Sequence, residues 1–236
     1  MIAQTPKPLE EIQELLSGRE RIVIIGCGGC SALFRTGGPT EVRKMSRTLQ
    51  ECGKQVLAAV APPLNTFTCN LPQARKQIEP YRDQLEQADA ILMLTCGDGL
   101  QVVREGILEH EFGLMKPIYP GTDTVGLMGG GPDVFVEKCL LCGECELGAF
   151  AGICPLTQCA KGLMNGPCGG SQNGKCEVKP ERDCGWIRIY ERLRDLGELD
   201  QLRRPRPPKD WSKANRPRTI DLSTLTGNKR TQKTEA

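Results

Sequence analysis

Eight cysteines fall between Cys139 and Cys184, in a stretch rich in glycine and without long apolar runs. Such a stretch cannot bury enough apolar surface to fix its own shape, so something other than a hydrophobic core must hold it. The whole chain has 236 residues and thirteen cysteines but a single histidine, His110, which excludes most mixed cysteine–histidine zinc designs. The N-terminal stretch MIAQTPKPLEEIQELLSG is polar and lacks the apolar segment of a secretory signal. No stretch reaches the ~20 consecutive apolar residues that span a bilayer. The expectation is therefore a cytoplasmic chain without a membrane span, whose thiols act as ligands or catalysts rather than as disulfides.

Charge is divided unevenly. Residues 1–200 carry 21 Lys and Arg against 26 Asp and Glu, a net −5, while residues 201–236 carry 10 against 3, a net +7. Thiolate-bound clusters would make the body more acidic still. Nucleic acid is thus not an expected partner of the body. The tail has only Trp211 as an aromatic, too little for a base-stacking surface.

Three regions follow from the pattern. Residues 1–136 alternate short apolar runs with helical periodicity, which implies an α/β domain with a parallel, Rossmann-like sheet. An opening helix is expected from Pro8 to about Leu16, ending at Gly18. The runs Arg21–Ile25, Gln55–Ala61 and Ala90–Thr95 read as buried strands, with a fourth near Pro117–Tyr119. Helices are expected from Glu41, capped by Thr40 and ending at Gly53, over Leu71–Ala88 with Pro80 as a kink, and over Leu100–His110. The stretch Gly121–Gly131 reads as a glycine-rich loop. Residues 137–200 read as a cysteine-rich, cluster-stapled segment of ferredoxin-like type, ending in a docking helix formed by Trp186, Ile189, Tyr190, Leu193 and Leu196. Residues 201–236 read as an extended basic Pro/Arg-rich tail without a core of its own.

Four cysteines of the first region lie just beyond strand ends: Cys27 and Cys30 after the first, Cys69 after the second, Cys96 after the third. A parallel sheet puts all strand carboxyl ends on one edge, where ligands bind, so these residues should converge there. Each also sits near the start of a helix, whose positive end favours thiolate. Four converging thiolates without histidine suit an iron–sulfur cluster or an all-cysteine zinc site. Gly26, Gly28, Gly29 and Gly97 allow tight turns and close backbone approach there. Three other readings compete. The turn GCGGCSALFRTGG could cradle phosphate, although it lacks the spacing of a dinucleotide fingerprint and the lysine–serine pair of a P-loop. Cys27 and Cys30 form a C-x-x-C that could act as a redox dithiol, which would leave Cys69 and Cys96 unexplained. The thiols could also simply be buried. Cys52, at the far end of a crossover helix, reads as a core thiol.

In the second region Cys139, Cys142 and Cys145 are spaced two residues apart, as in bacterial ferredoxins, where a later Cys-Pro supplies a further ligand. Here eight residues, not three, precede Cys154-Pro155. Cys159, Cys168, Cys176 and Cys184 bring the total to eight thiols, enough for two four-ligand sites. Spacing does not partition them; one split joins Cys139, Cys142 and Cys145 to a distal cysteine. Structural zinc at one of these sites is the main competing expectation.

The block EKCLLCGECELGAFAGICPLTQCAKGLMNGPCGGSQNGKCEV…CGWIRIYERL resembles the C-terminal domain family of methylenetetrahydrofolate reductase. Together with the upstream CGGC, TGGPTEV and TCGDGLQVV, it resembles the small MetV-type iron–sulfur partner subunit of the bacterial enzyme. The resemblance covers residues 20–195 and is most specific around NGPCGG. It implies a subunit that carries two to three 4Fe-4S clusters, with zinc at one C-terminal site as the alternative. It also implies a flavin-containing catalytic subunit as partner and an electron donor such as ferredoxin. Flavin and catalytic acid would belong to that partner, so no catalytic residue is assigned in this chain. Two further functions stand beside this one: a zinc-stapled docking module for the flavoprotein, and a C-x-x-C dithiol oxidoreductase.

Overall fold

A computed structural model describes residues 1–131 and 133–220. The chain divides into two compact units, Met1–Lys138 and the segment that begins at Cys139. In chain order the first unit holds β1 (Ile2–Pro6), α1 (Leu9–Leu15), β2 (Arg21–Ile25), α2 (Cys30–Leu33), α3 (Pro39–Glu51) and β3 (Gln55–Val60). Next come α4 (Leu71–Ile78), α5 (Arg82–Gln87), β4 (Ala90–Met93), α6 (Gly97–Val102), β5 (Ile118–Pro120) and β6 (Thr122–Leu127).

Four strands form a parallel sheet in the order β3-β2-β4-β5. The run RIVII is β-branched and apolar at every position after Arg21, and its last four residues are fully covered. Because successive side chains alternate faces, Ile22, Ile24, Ala90 and Leu92 pack with Ile12, Leu16, Val42 and Leu49 from α1 and α3. Val23, Ile25, Ile91 and Met93 pack on the other face with Ala74, Ile78, Leu85 and Ile107. The sheet is therefore doubly wound. After β3 the chain crosses back over β2 to lay down β4, which makes the β2/β4 boundary the point where strand order reverses.

Local chemistry differs from expectation in several places. Helix α3 begins at Pro39 after Gly38 rather than at a Thr40 cap, because proline presets the helical φ and its missing N–H costs nothing in the first turn. Gly53 ends it with φ +82°, as a left-handed terminator. Pro80 splits the expected 71–88 helix into α4, a 3-10 turn and α5, since it cannot donate the next helical hydrogen bond. Helix α6 starts three residues earlier than expected and continues as a π-wound segment, Val103–Glu111. The glycine-rich stretch after β5 is largely strand β6, which pairs antiparallel with β1. Buried Gln4 on β1 accepts hydrogen bonds from Ser31 Oγ at 3.1 Å and Thr122 Oγ1 at 3.3 Å. These polar contacts replace the apolar pattern by which a strand is normally read.

The starts of β2 and β4 are joined by Asp89. Its carboxylate accepts from the Arg21 guanidinium at 2.7 Å and from the backbone N–H groups of Arg21 and Glu20 at 2.9 and 3.2 Å. The Arg21 side-chain bond, then the Arg21 backbone bond, hold this carboxyl well below the usual range. A depressed folded pKa contributes stability that is present above the unfolded pKa and lost as pH falls through the folded one. Asp89→Asn should therefore lower Tm near neutrality, and the gap to the unmodified chain should narrow progressively as pH falls below about 5. A pH-independent gap in thermal melts would contradict the linkage.

The second unit has little regular structure: a 3-10 turn at Leu147–Phe150, α7 (Pro155–Gln158), α8 (Gly185–Asp195), and 3-10 turns at Leu199–Arg203 and Trp211–Ala214. Its small core gathers Phe150, Cys184, Trp186, Ile189 and Leu193. The Phe150 and Trp186 rings meet edge to face at 5.5 Å, and Trp186 Nε1 donates to the Leu163 carbonyl at 3.0 Å. Helix α8 docks through Trp186, Ile189 and Leu193; Tyr190 and Leu196, expected on that stripe, are exposed. Residues 201–220 are not a free arm. Leu202 packs on the core, and Arg206 and Lys213 pair with Glu146 and Glu144 inside this unit. The part of the expected tail from residue 221 on lies outside the described residues. Among the described residues no helix is long and apolar enough to cross a membrane.

Candidate metal centres

All thirteen cysteines are free. Cys27 follows β2, Cys30 opens α2, Cys69 immediately precedes Asn70 (the cap of α4), and Cys96 is the N-cap of α6. Cys27 and Cys96 thus flank the strand-order reversal at the carboxyl edge of β2 and β4, and both are buried. The four thiols lie near enough to feel one another's charge. Partial burial, then Asp98, Cys96, Cys27 and Cys30, push the Cys69 thiol up to about 11. Burial likewise raises Cys96, against the opposing pull of the Gly99 and Asp98 backbone N–H groups. At Cys69 and Cys96 desolvation and neighbouring charge outweigh the favour that a helix start gives to thiolate. A bound cation relieves such repulsion between neighbouring sulfurs, two of which, Cys27 and Cys96, are buried.

The loop after β3 brings Cys69 to this edge. Asn65 N–H donates to the Gly28 carbonyl at 2.8 Å and Thr68 Oγ1 to the Gly26 carbonyl at 2.9 Å. A Cβ on Gly28 would lie 1.8 Å from the Pro63 carbonyl oxygen, and one on Gly29 would lie 2.4 Å from the Phe67 ring. These glycines therefore serve close approach between protein loops; neither has positive φ. Cys52, expected in the core, is instead exposed at the end of α3, where Gln13 Nε2 donates to its sulfur at 3.1 Å. Asp98 escaped sequence reading, although TCGDG places a carboxylate two residues past Cys96.

In the second unit, Cys159, Cys168, Cys176 and Cys184 line one pocket. Cys159 ends α7 and Cys184 caps α8. Between them a tight turn at Asn173 and Gly174, both with positive φ, lets Gln172 and Lys175 exchange backbone hydrogen bonds. Cys184 N–H then closes on the Gly174 carbonyl at 2.8 Å. Glu177 on the pocket wall accepts from Lys161 and, at 3.3 Å, from the Cys168 thiol. Its carboxyl is held low by Lys161 first and by Cys168 second. Cys139, Cys142 and Cys145 occupy an exposed loop with positive φ at Leu141 and Gly143.

That loop is clamped by the basic segment. Lys213 Nζ meets Glu144 at 2.5 Å, Asp210 N–H donates to Glu144 at 3.1 Å, and Arg206 pairs with Glu146 at 2.7 Å. Lys213, then the Asp210 N–H, lowers the Glu144 carboxyl. Glu144→Gln should loosen this clamp, and tryptic cleavage after Lys209 and Lys213, followed by mass spectrometry, should accelerate several-fold at low salt. Unchanged cleavage would mean that the clamp does not hold the segment.

No three Cys, His, Asp or Glu side chains among the described residues form a group able to hold a single metal ion. A tetrahedral zinc site needs its sulfurs at about 2.3 Å from the metal. Cysteine sulfur is the ligand of iron–sulfur clusters as well as of structural zinc. The cysteines at both places stand beside a carboxylate, Asp98 at the first and Glu177 at the second.

Fold and sites together describe a doubly wound α/β unit with thiols at its switch edge and a cysteine-rich second unit. Residues 119–212 match the model of a family described as methylene-tetrahydrofolate reductase C terminal, a span that includes all eight C-terminal cysteines. No curated protein and no solved structure matches the chain.

Proposed function

We propose that this chain is the MetV-type iron–sulfur electron-transfer subunit of a methylenetetrahydrofolate reductase complex. It works between a donor such as ferredoxin and the flavin of a catalytic partner subunit. The observation that carries the reading is the family match, which spans every thiol from Cys139 to Cys184. The gathering of Cys27, Cys30, Cys69 and Cys96 at the strand-order reversal supports it independently. When bound, iron–sulfur clusters supply one-electron carriage. The chain's own residues supply thiolate ligands and a frame that fixes them: loop contacts at Gly26 and Gly28 around the first set, and the Gln172–Lys175 turn with its Cys184–Gly174 bond around part of the second. The substrate-binding and hydride chemistry falls to the partner.

The test is donor-driven reduction of the partner's flavin under anaerobic conditions, with and without this chain. Reduction by a ferredoxin-class donor should require the chain. Equal rates in its absence would leave it a docking module.

A further inference from the structure

Resting on that reading, we infer that Cys159, Cys168, Cys176 and Cys184 are the four ligands of one iron–sulfur cluster, separate from a set that contains Cys139, Cys142, Cys145 and Cys154. Ferredoxin-like spacing alone leaves this partition open, because the Cys-Pro ligand is displaced and four more thiols follow. The pocket walls decide it. Cys154 and Cys159 cap opposite ends of the single turn α7. Cys159 lines the four-thiol pocket and Cys154 is not among its walls.

The remaining three thiols come from separate stretches of chain. Cys168 lies between Gly166 and Gly169, both with positive φ, Cys176 lies just past the Asn173–Gly174 reversal, and Cys184 caps α8, with its backbone N–H fixed to Gly174. Four thiols and no histidine on the walls of one pocket are the donor set of an iron–sulfur cluster, the occupant that the proposed function calls for. Lys161, on the same wall and paired with Glu177, places a cation beside a group that is about −2 overall with four thiolates.

Two measurements on the anaerobically purified full chain test this. In the first, Cys159, Cys168, Cys176 and Cys184 are each replaced by serine, and iron, sulfide and electron paramagnetic resonance spectra are recorded. Each variant should lose the same signal and about four iron, and Cys142→Ser should lose a different signal. In the second, which needs no variant, the native chain is stripped stepwise with a chelator and its thiols are alkylated as they appear. Cys159, Cys168, Cys176 and Cys184 should become labelled together, and Cys154 with the triplet. Loss of one common signal from Cys142→Ser and Cys176→Ser, or labelling of Cys154 with Cys159, would overturn the partition. Zinc released with the Cys159 group would overturn the cluster assignment. Absence of sulfide from the native chain would instead sink the electron-transfer reading, and the labelling groups would still report which thiols share a site.

Discussion

Cys96→Ser is expected to cost the chain about four iron and about four sulfide while the first unit stays folded. Cys96 is buried at the N-cap of α6, where a serine hydroxyl is a favoured cap and the change in volume is small. What disappears is the thiolate, at the edge where Cys27 and Cys69 add their charges. Flavin reduction by the external donor should fall to the rate seen without the chain. Cys52→Ser is the matched control: that thiol is exposed at the end of α3, and its loss should leave iron, sulfide and rate unchanged. Equal metal content in the Cys96 and Cys52 variants would remove the strand-edge set from the proposal.

A second large effect is expected from one methyl group. In Gly28→Ala the new Cβ would meet the Pro63 carbonyl oxygen at 1.8 Å, a backbone atom that cannot swing away. The loops that carry Cys27 and Cys69 must then part, costing about 1–3 kcal/mol in denaturant-induced unfolding and the metal content of the first site as well. Gly97→Ala, equally close in sequence to a candidate ligand, meets only Thr124 Oγ1 at 3.6 Å. There alanine should be tolerated or stabilising by up to ~1 kcal/mol, since it replaces glycine in a helix. A Gly28→Ala protein as stable and as fully loaded as the unmodified chain would show that the close approach is dispensable.

The contrast between these glycines shows how much of the site was legible beforehand. Apolar runs such as RIVII and AILM declare buried strands because nothing else in the sequence competes with that reading. Parallel order then brings Cys27 and Cys96 to one edge by topology alone. Strand β1 was illegible because its buried residues include Gln4, satisfied by Ser31 and Thr122 from far along the chain. The Gly28–Pro63 contact has no local signature either, since glycine permits both a turn and a close approach. Residues 206–213 looked like a free basic arm because Glu144 and Glu146, their partners, lie some sixty positions earlier. The grouping of Cys159 with Cys168, Cys176 and Cys184 is three-dimensional in the same sense. It shows in the walls of one pocket, not in the spacing of the cysteines.

Iron, acid-labile sulfide and zinc, counted per chain in the complex purified anaerobically with its flavoprotein, test the central claim most directly. The account predicts iron and sulfide in nearly equal amounts, at about eight to twelve of each per chain. Near-stoichiometric zinc with negligible sulfide would contradict it.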